Sequence, residues 1–350
     1  MASYNDKRAQ EGEPSRGIVD LSGNFGAYGD LIYFLGGLTV LIAGGQFLVR
    51  GAIGVGQLLN LSPLLTGLII VAMGSSVPEL VVAMASLKAG QPDLAVGNVI
   101  GSNITNGLLI LGLAAVISPL AIRRSMVARD AVTMVLATAT FVWIAQNSDQ
   151  FTPFHGTLLV GMLVIYVLLS FVIEQLSESD TGDRIKAMAT SHRLPIVAAI
   201  PLDVVLLLGG IVLLHFGAFY MVKGAASFAA RIGVSEAVIG LSIVAIGTSL
   251  PELATTLMAA MQRRSEIVVG NILGSNIFNI LAVIGITSFM QPVDIASRFA
   301  HTDMWIMLAS SIVLVPFMVS NWRLSRAEGM VLVLFYFVYV GALYVGFGAR

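Results

Sequence analysis

The sequence predicts an all-α, polytopic membrane protein with ten transmembrane helices arranged as two inverted five-helix repeats. Three observations carry that expectation. Hydrophobic residues make up 57% of the 350 positions and charged residues only 11%, with a mean hydropathy of +0.89. Apolar runs of membrane-spanning length recur from Asp30 to the C-terminus. The second half of the chain repeats the first at one constant offset.

The composition excludes whole classes of function. A soluble domain carries about 25% charged residues and cannot hide this much apolar surface. A disordered chain and an ordinary cytosolic enzyme are both excluded. A formal net charge of −1 gives no basic field for nucleic acid. The absence of cysteine removes disulfides, thiol catalysis and thiolate-held metals, and leaves the redox compartment open.

Residues 1–29 form a polar, Gly-rich tail with charges of both signs and no apolar core of a cleavable signal. Apolar runs then follow at about 31–49, 59–87, 94–117, 130–146, 154–174, 202–222, 234–261, 266–290, 303–320 and 328–347. A helix needs about 20 residues to cross the hydrocarbon, so ten spans is the natural count. The chain divides into a first five-helix repeat at 30–175, a linker and the start of the second half at 176–202, and a second repeat at 203–348. The one hydrophilic interior loop lies near 174–195.

Basic residues favour the cytoplasmic side. With the N-terminus outside, the inner face collects Arg50, Arg123, Arg124, Arg129, Arg184, Lys186, Arg193, Arg263, Arg264, Arg323 and Arg326. The outer loops and C-terminus hold Lys88, Lys223, Arg231, Arg298 and Arg350, and the tail adds Lys7, Arg8 and Arg16 among acidic residues. Both termini are therefore expected outside and the linker inside.

The repeat runs at an offset of 173 without a gap. Asp30 matches Asp203, Gly36-Gly37 matches Gly209-Gly210, and Asp130 matches Asp303. GLIIVAMGSSVPEL (67–80) and GLSIVAIGTSLPEL (240–253) agree at 10 of 14 positions. VGNVIGSNITNGLLILG (96–112) and VGNILGSNIFNILAVIG (269–285) agree at 10 of 17. Five spans per half is an odd number, so the second half enters the membrane from the opposite side. Inverted repeats meeting at the bilayer midplane are a construction of secondary transporters.

The repeated polar residues carry the chemistry. Glu79 and Glu252 each sit deep in an apolar run with no basic residue nearby in sequence. An isolated acid at mid-bilayer costs at least about 2.5–3.5 kcal/mol, so each needs a partner. Pro78 and Pro251 precede them and remove the amide proton that the carbonyls of Gly74 and Gly247 would accept. The helices should break there. Carbonyls near Ala72 and Ala245, with the hydroxyls of Ser75, Ser76, Thr248 and Ser249, then become available. In the third and eighth spans, Asn98, Ser102 and Asn106, and again Asn271, Ser275 and Asn279, recur at helical spacing and form two polar stripes. Asn103 and Asn276 lie just off them.

All these groups offer oxygen. Hard cations take such ligands, and Ca²⁺ takes six to eight. Two carboxylates can neutralise one Ca²⁺ or hold several Na⁺ with neutral oxygens, and competition between the two loads gives exchange. Among the remaining polar residues, Asp30 and Asp203 read as structural helix-start acids, Glu174 and Glu266 as interfacial, and His215 as packed or pore-lining.

GSSVPE with GNVIGSNITN, and GTSLPE with GNILGSNIFN, resemble the two alpha-repeats of the cation/calcium exchanger superfamily, most closely its compact prokaryotic-type sodium/calcium exchangers. The resemblance covers about residues 30–348. It implies Glu79 and Glu252 as the principal Ca²⁺ carboxylates that also contact Na⁺. It implies Na⁺ sites at Ser76, Ser249, Ser102 and Ser275, backbone carbonyl ligands at Ala72, Ser75, Ala245 and Thr248, and central positions for Asn106 and Asn279. Some relatives carry Asp where this chain has Asn279, which argues against potassium co-transport here. Ca²⁺ and Na⁺ are then the transported ions, the lipid bilayer the surroundings, and no prosthetic group or nucleic acid is involved. Alternating access, with spans one and six sliding past the core, is the implied cycle. H⁺/Ca²⁺ antiport through the same two glutamates is the alternative.

Overall fold

A computed structural model describes residues 27–124, 127–177, 196–232, 245–296 and 299–348. The polar tail up to residue 26, the linker 178–195, and the first part of span seven (233–244) lie outside the described residues. We number the membrane helices in chain order. The first half contains α1 (Ala27–Leu58), α2 (Pro63–Lys88), α3 (Pro92–Ile117), α4 (Ala128–Asn147) and α5 (Pro153–Ser177). The second contains α6 (Ile196–Arg231), α7 in two pieces (Ala245–Thr248 and Leu250–Met261), α8 (Ser265–Met290), α9 (Phe299–Trp322) and α10 (Arg326–Gly348). Nine of these are long and apolar enough to cross a membrane, counted over the described residues.

Outward faces are apolar, as lipid demands: Ile32, Leu35, Val205, Leu208, Leu334 and Phe337 are all exposed. The centre is α8, whose most apolar window is 94% buried. Gly270 and Gly274 let it approach α2, because a Cβ added there would lie 2.6 Å from the Leu64 carbonyl and 2.4 Å from that of Leu68. At the corresponding positions of α3, a Cβ on Gly97 would lie 3.1 Å from the Phe299 ring, and one on Gly101 would have nothing within 4 Å.

α1 and α6 extend past the expected runs 31–49 and 202–222. Arg50 ends the apolar run but does not end the helix, because its side chain is exposed and no proline follows until Pro63. α6 begins within the segment assigned to the linker. The two helices lie antiparallel along a seam of glycines spaced by seven: Gly37, Gly44 and Gly51 against Gly210, Gly217 and Gly224. A Cβ on Gly37 would sit 2.3 Å from the Met221 nitrogen, and one on Gly210 2.4 Å from the Leu48 nitrogen. The two backbones therefore touch directly. At one end of the seam, buried Asp30 pairs with Arg231 at 2.5 Å; at the other, the Asp203 carboxylate packs on Gly54. The structural reading of both acids agrees with this. His215 does not pack inward. It lies exposed on α6 beside Phe216, because the glycine face, not the histidine face, is the one turned towards α1.

The fold is not wholly helical. Leu120–Ala121 (β1) pairs with Arg323–Leu324 (β4), and Gln150–Phe151 (β2) pairs with Val293–Asp294 (β3), both antiparallel. The two clips are related by the repeat offset, and each ties one half to the other at a helix end. Arg123, just after β1, also pairs with Glu266 at 2.5 Å, which keeps that acid at the helix edge.

Candidate ion-binding site

The two breaks form where proline predicts them. α2 is interrupted at Ser76 (φ −88°, ψ 3°) and α7 at Ser249 (φ −89°, ψ 6°). The near-identical angles show that the two halves solve the same local problem in the same way. Each proline is the second residue of the piece that follows the break, and Glu79 and Glu252 stand in the first turn after it, fully buried. A carboxylate at a helix N-terminus faces the positive end of the peptide dipoles. That alone does not satisfy it in a low dielectric.

The two acids belong to one cluster, because Ser76, three residues before Glu79, reaches across to Glu252. No ion pair among the described residues reaches either one. Ser76 Oγ donates to Glu252 Oε1 at 3.0 Å, across the two halves. Ser249 Oγ donates to Ser102 Oγ at 3.1 Å. The opposite set of oxygens has no donor: Glu79 Oε1 and Oε2, Glu252 Oε2, Asn106 Oδ1, Asn279 Oδ1 and Ser275 Oγ are all buried without a hydrogen-bond partner. Buried acceptors are rarely left so.

α3 and α8 each carry a π turn, Thr105–Ile110 and Asn279–Ile284. Such turns recur at functional sites. The turn holding Asn106 packs against the Glu252 piece of α7, and the turn holding Asn279 against the Glu79 piece of α2. The predicted central residues thus converge from four helices.

Other predicted members take bracing positions. Thr248 Oγ1 donates to Asn98 Oδ1 at 2.9 Å, and Ser75 Oγ donates to Asn271 Oδ1 at 3.4 Å, one tie on each side of the repeat. Asn271 Nδ2 further donates to Thr255 and Thr256, two residues that sequence spacing did not single out. The Ala72 carbonyl accepts from Ser76 N at 3.0 Å and from Ser75 Oγ at 3.3 Å, so in this geometry it is engaged within its own turn. Ala245 opens the first described piece of α7.

Two asparagines off the predicted stripe prove central. Asn103 Nδ2 donates to the Asn276 carbonyl at 3.3 Å, and Asn276 Nδ2 donates to the Asn103 carbonyl at 3.3 Å. Their duplication in both GSN motifs was the available signal. No group of three or more His, Cys, Asp or Glu occurs among the described residues. A cation held here would rest on two carboxylates and neutral oxygens, a donor set suited to Ca²⁺ and Na⁺ rather than to a softer metal.

Comparison with known proteins agrees with this architecture. CaxA of Alkalimonas amylolytica is 35% identical over 324 residues, 91% of this chain and 98% of its own. The sodium/calcium exchanger MaX1 of Methanosarcina acetivorans is 29% identical over 346 residues, with 90% and 98% covered. A solved structure of the sodium-calcium exchanger NCX_Mj superposes with a TM-score of 0.76 at 27% identity, covering 91% of this chain and 99% of that one. The family model for sodium/calcium exchanger proteins matches residues 30–172 and 202–345, the two repeats without the linker. On the match of both halves, this chain belongs to the sodium/calcium exchanger family.

Proposed function

We propose that this protein is a secondary antiporter that exchanges Na⁺ for Ca²⁺ across a membrane by alternating access. The observation that supports this reading is the set of buried oxygens without donors on Glu79, Glu252, Asn106, Asn279 and Ser275. Together they carry two negative charges if both acids are ionised. One Ca²⁺ neutralises that charge directly; Na⁺ ions do so with help from the hydroxyls of Ser76, Ser102, Ser249 and Ser275. A site left without cations would hold two facing carboxylates in a low dielectric, so the protein changes sides loaded. That is what makes the exchange obligatory. The glycine seam joins α1 and α6 into one unit, and that unit would slide past the clipped core to open the site to alternate sides. Both termini lie outside and the linker inside in this reading.

The test is calcium-45 uptake into proteoliposomes of the purified protein. Some vesicles are preloaded with Na⁺, and parallel vesicles carry only a pH gradient. Uptake requiring internal Na⁺ is expected, and Glu79→Gln or Glu252→Gln should abolish it. Uptake driven by the pH gradient alone would make the glutamates proton carriers and replace Na⁺ coupling with H⁺ coupling.

A further inference from the structure

Four side-chain amides meet between α3 and α8, and their direction follows from one constraint. A backbone carbonyl can only accept. The Asn276 carbonyl therefore obliges Asn103 to face it with Nδ2, and the Asn103 carbonyl does the same to Asn276. Each Oδ1 must then point away. Asn279 Nδ2 donates to Asn103 Oδ1 at 3.1 Å, and Asn106 Nδ2 donates to Asn276 Oδ1 at 3.1 Å. With Nδ2 occupied, Asn279 and Asn106 present Oδ1, the buried atoms that have no donor. The polarity runs one way from carbonyl to site, twice, across the two halves.

We infer that Asn103 and Asn276 are positioning residues that fix which end of the Asn279 and Asn106 amides faces the transported cation. The inference rests on the reading of this cluster as a cation site. An amide turned end for end has almost the same shape but exchanges an acceptor for two donors. Turned towards the shared carboxylates, the NH₂ groups would satisfy bare Glu79 and Glu252 and repel a cation. Nothing in the size of the side chain prevents that flip; only the hydrogen bonds to Asn103 and Asn276 do. Outer hydrogen-bond partners of metal ligands act in this way, and losing one costs about 10- to 100-fold in affinity. Met134, whose Sδ lies 3.6 Å from Asn276 Nδ2, gives only a weak acceptor and does not compete with the carbonyl.

The experiment is a double-mutant cycle on Ca²⁺ binding, read by calorimetry on the purified protein. Asn103→Leu should weaken binding by about tenfold or more. Asn279→Asp removes the need for orientation, because both ends of a carboxylate are oxygens. In that background Asn103→Leu should change binding by less than about threefold. An equal loss in both backgrounds would show that Asn103 only supports packing and would overturn the proposal, as would no loss in the Asn279 background. Asn276→Leu with and without Asn106→Asp repeats the cycle from the other half, should either leucine variant fail to fold. Glu252→Gln serves as the separate arm: binding unchanged by it would overturn the cation site itself, whereas binding lost there with no coupling between Asn103 and Asn279 would overturn only the positioning role.

Discussion

Ser76 of the first half donates its hydroxyl to Glu252 of the second at 3.0 Å. It stands at the break of one helix and serves the acid beyond the break of the other. Hydrogen bonds to charged groups contribute about 1.5–3 kcal/mol. Ser76→Ala should therefore raise the Na⁺ concentration needed for half-maximal Ca²⁺ exchange by about tenfold, with a smaller effect on Ca²⁺ binding measured without Na⁺. Equal losses for the two ions would mean that the hydroxyl supports Glu252 without contributing to a Na⁺ site.

The helix breaks are open to direct test. Pro78→Ala restores an amide proton opposite the Gly74 carbonyl, which lets α2 run straight through Ser76. The variant should unfold at the same temperature as the parent or higher, yet bind Ca²⁺ at least about tenfold more weakly, because the Glu79 carboxylate is then re-aimed. Thermal unfolding and calorimetry on one sample separate the two effects. Intact binding in a straightened helix would show that the break is incidental.

The glycine seam carries its own control. Gly210→Ala places a methyl 2.4 Å from the Leu48 nitrogen, and Gly44→Ala places one 2.7 Å from the Leu214 nitrogen. Gly36 and Gly209 lie next in the same helices with nothing within 4 Å of an added Cβ. Overpacking of this kind costs about 1–3 kcal/mol. The first pair of substitutions should lower the unfolding temperature, and the second pair should leave it unchanged or raise it. If all four variants behaved alike, the seam would not be a packed interface.

At one end of that seam, Asp30 is 4% exposed while its partner Arg231 is 43% exposed. The asymmetry predicts an asymmetric response. Arg231→Gln leaves a charged, buried acid and should cost about 1–3 kcal/mol. Adding Asp30→Asn removes the stranded charge and should recover most of that loss in the same unfolding measurement. A double variant no more stable than Arg231→Gln alone would show that the charge of Asp30 is not what Arg231 offsets.

Much of this was legible in the sequence, for reasons particular to each residue. Glu79 and Glu252 stood out because an acid inside an apolar run has no cheap explanation. Pro78 and Pro251 announced the breaks because a missing amide proton is a property of the residue, not of its surroundings. The duplication exposed Asn106 and Asn279. Asn103 and Asn276 were harder to place, since an amide's role depends on which end faces the site, and spacing says nothing of direction. The glycine seam was hidden by Arg50, whose charge ended the apolar run where the helix in fact continues. His215 misled in the opposite sense: its polarity suggested an inward face, but close backbone contact had already claimed that face for glycine. The β clips are two residues long, too short for any periodicity to show.

Those clips have a consequence for synthesis of the chain. Leu120 pairs with Leu324 and Phe151 with Val293, so neither edge of the first half finds its mate until the ribosome has nearly finished. At about 5–20 residues per second, Leu120 waits about 10–40 s for its partner. When the fifth helix is complete, both first-half strand edges are still open and Glu79 already stands at depth. A ribosome stalled between the repeats would leave a fragment that is threaded into the membrane but cannot close on itself.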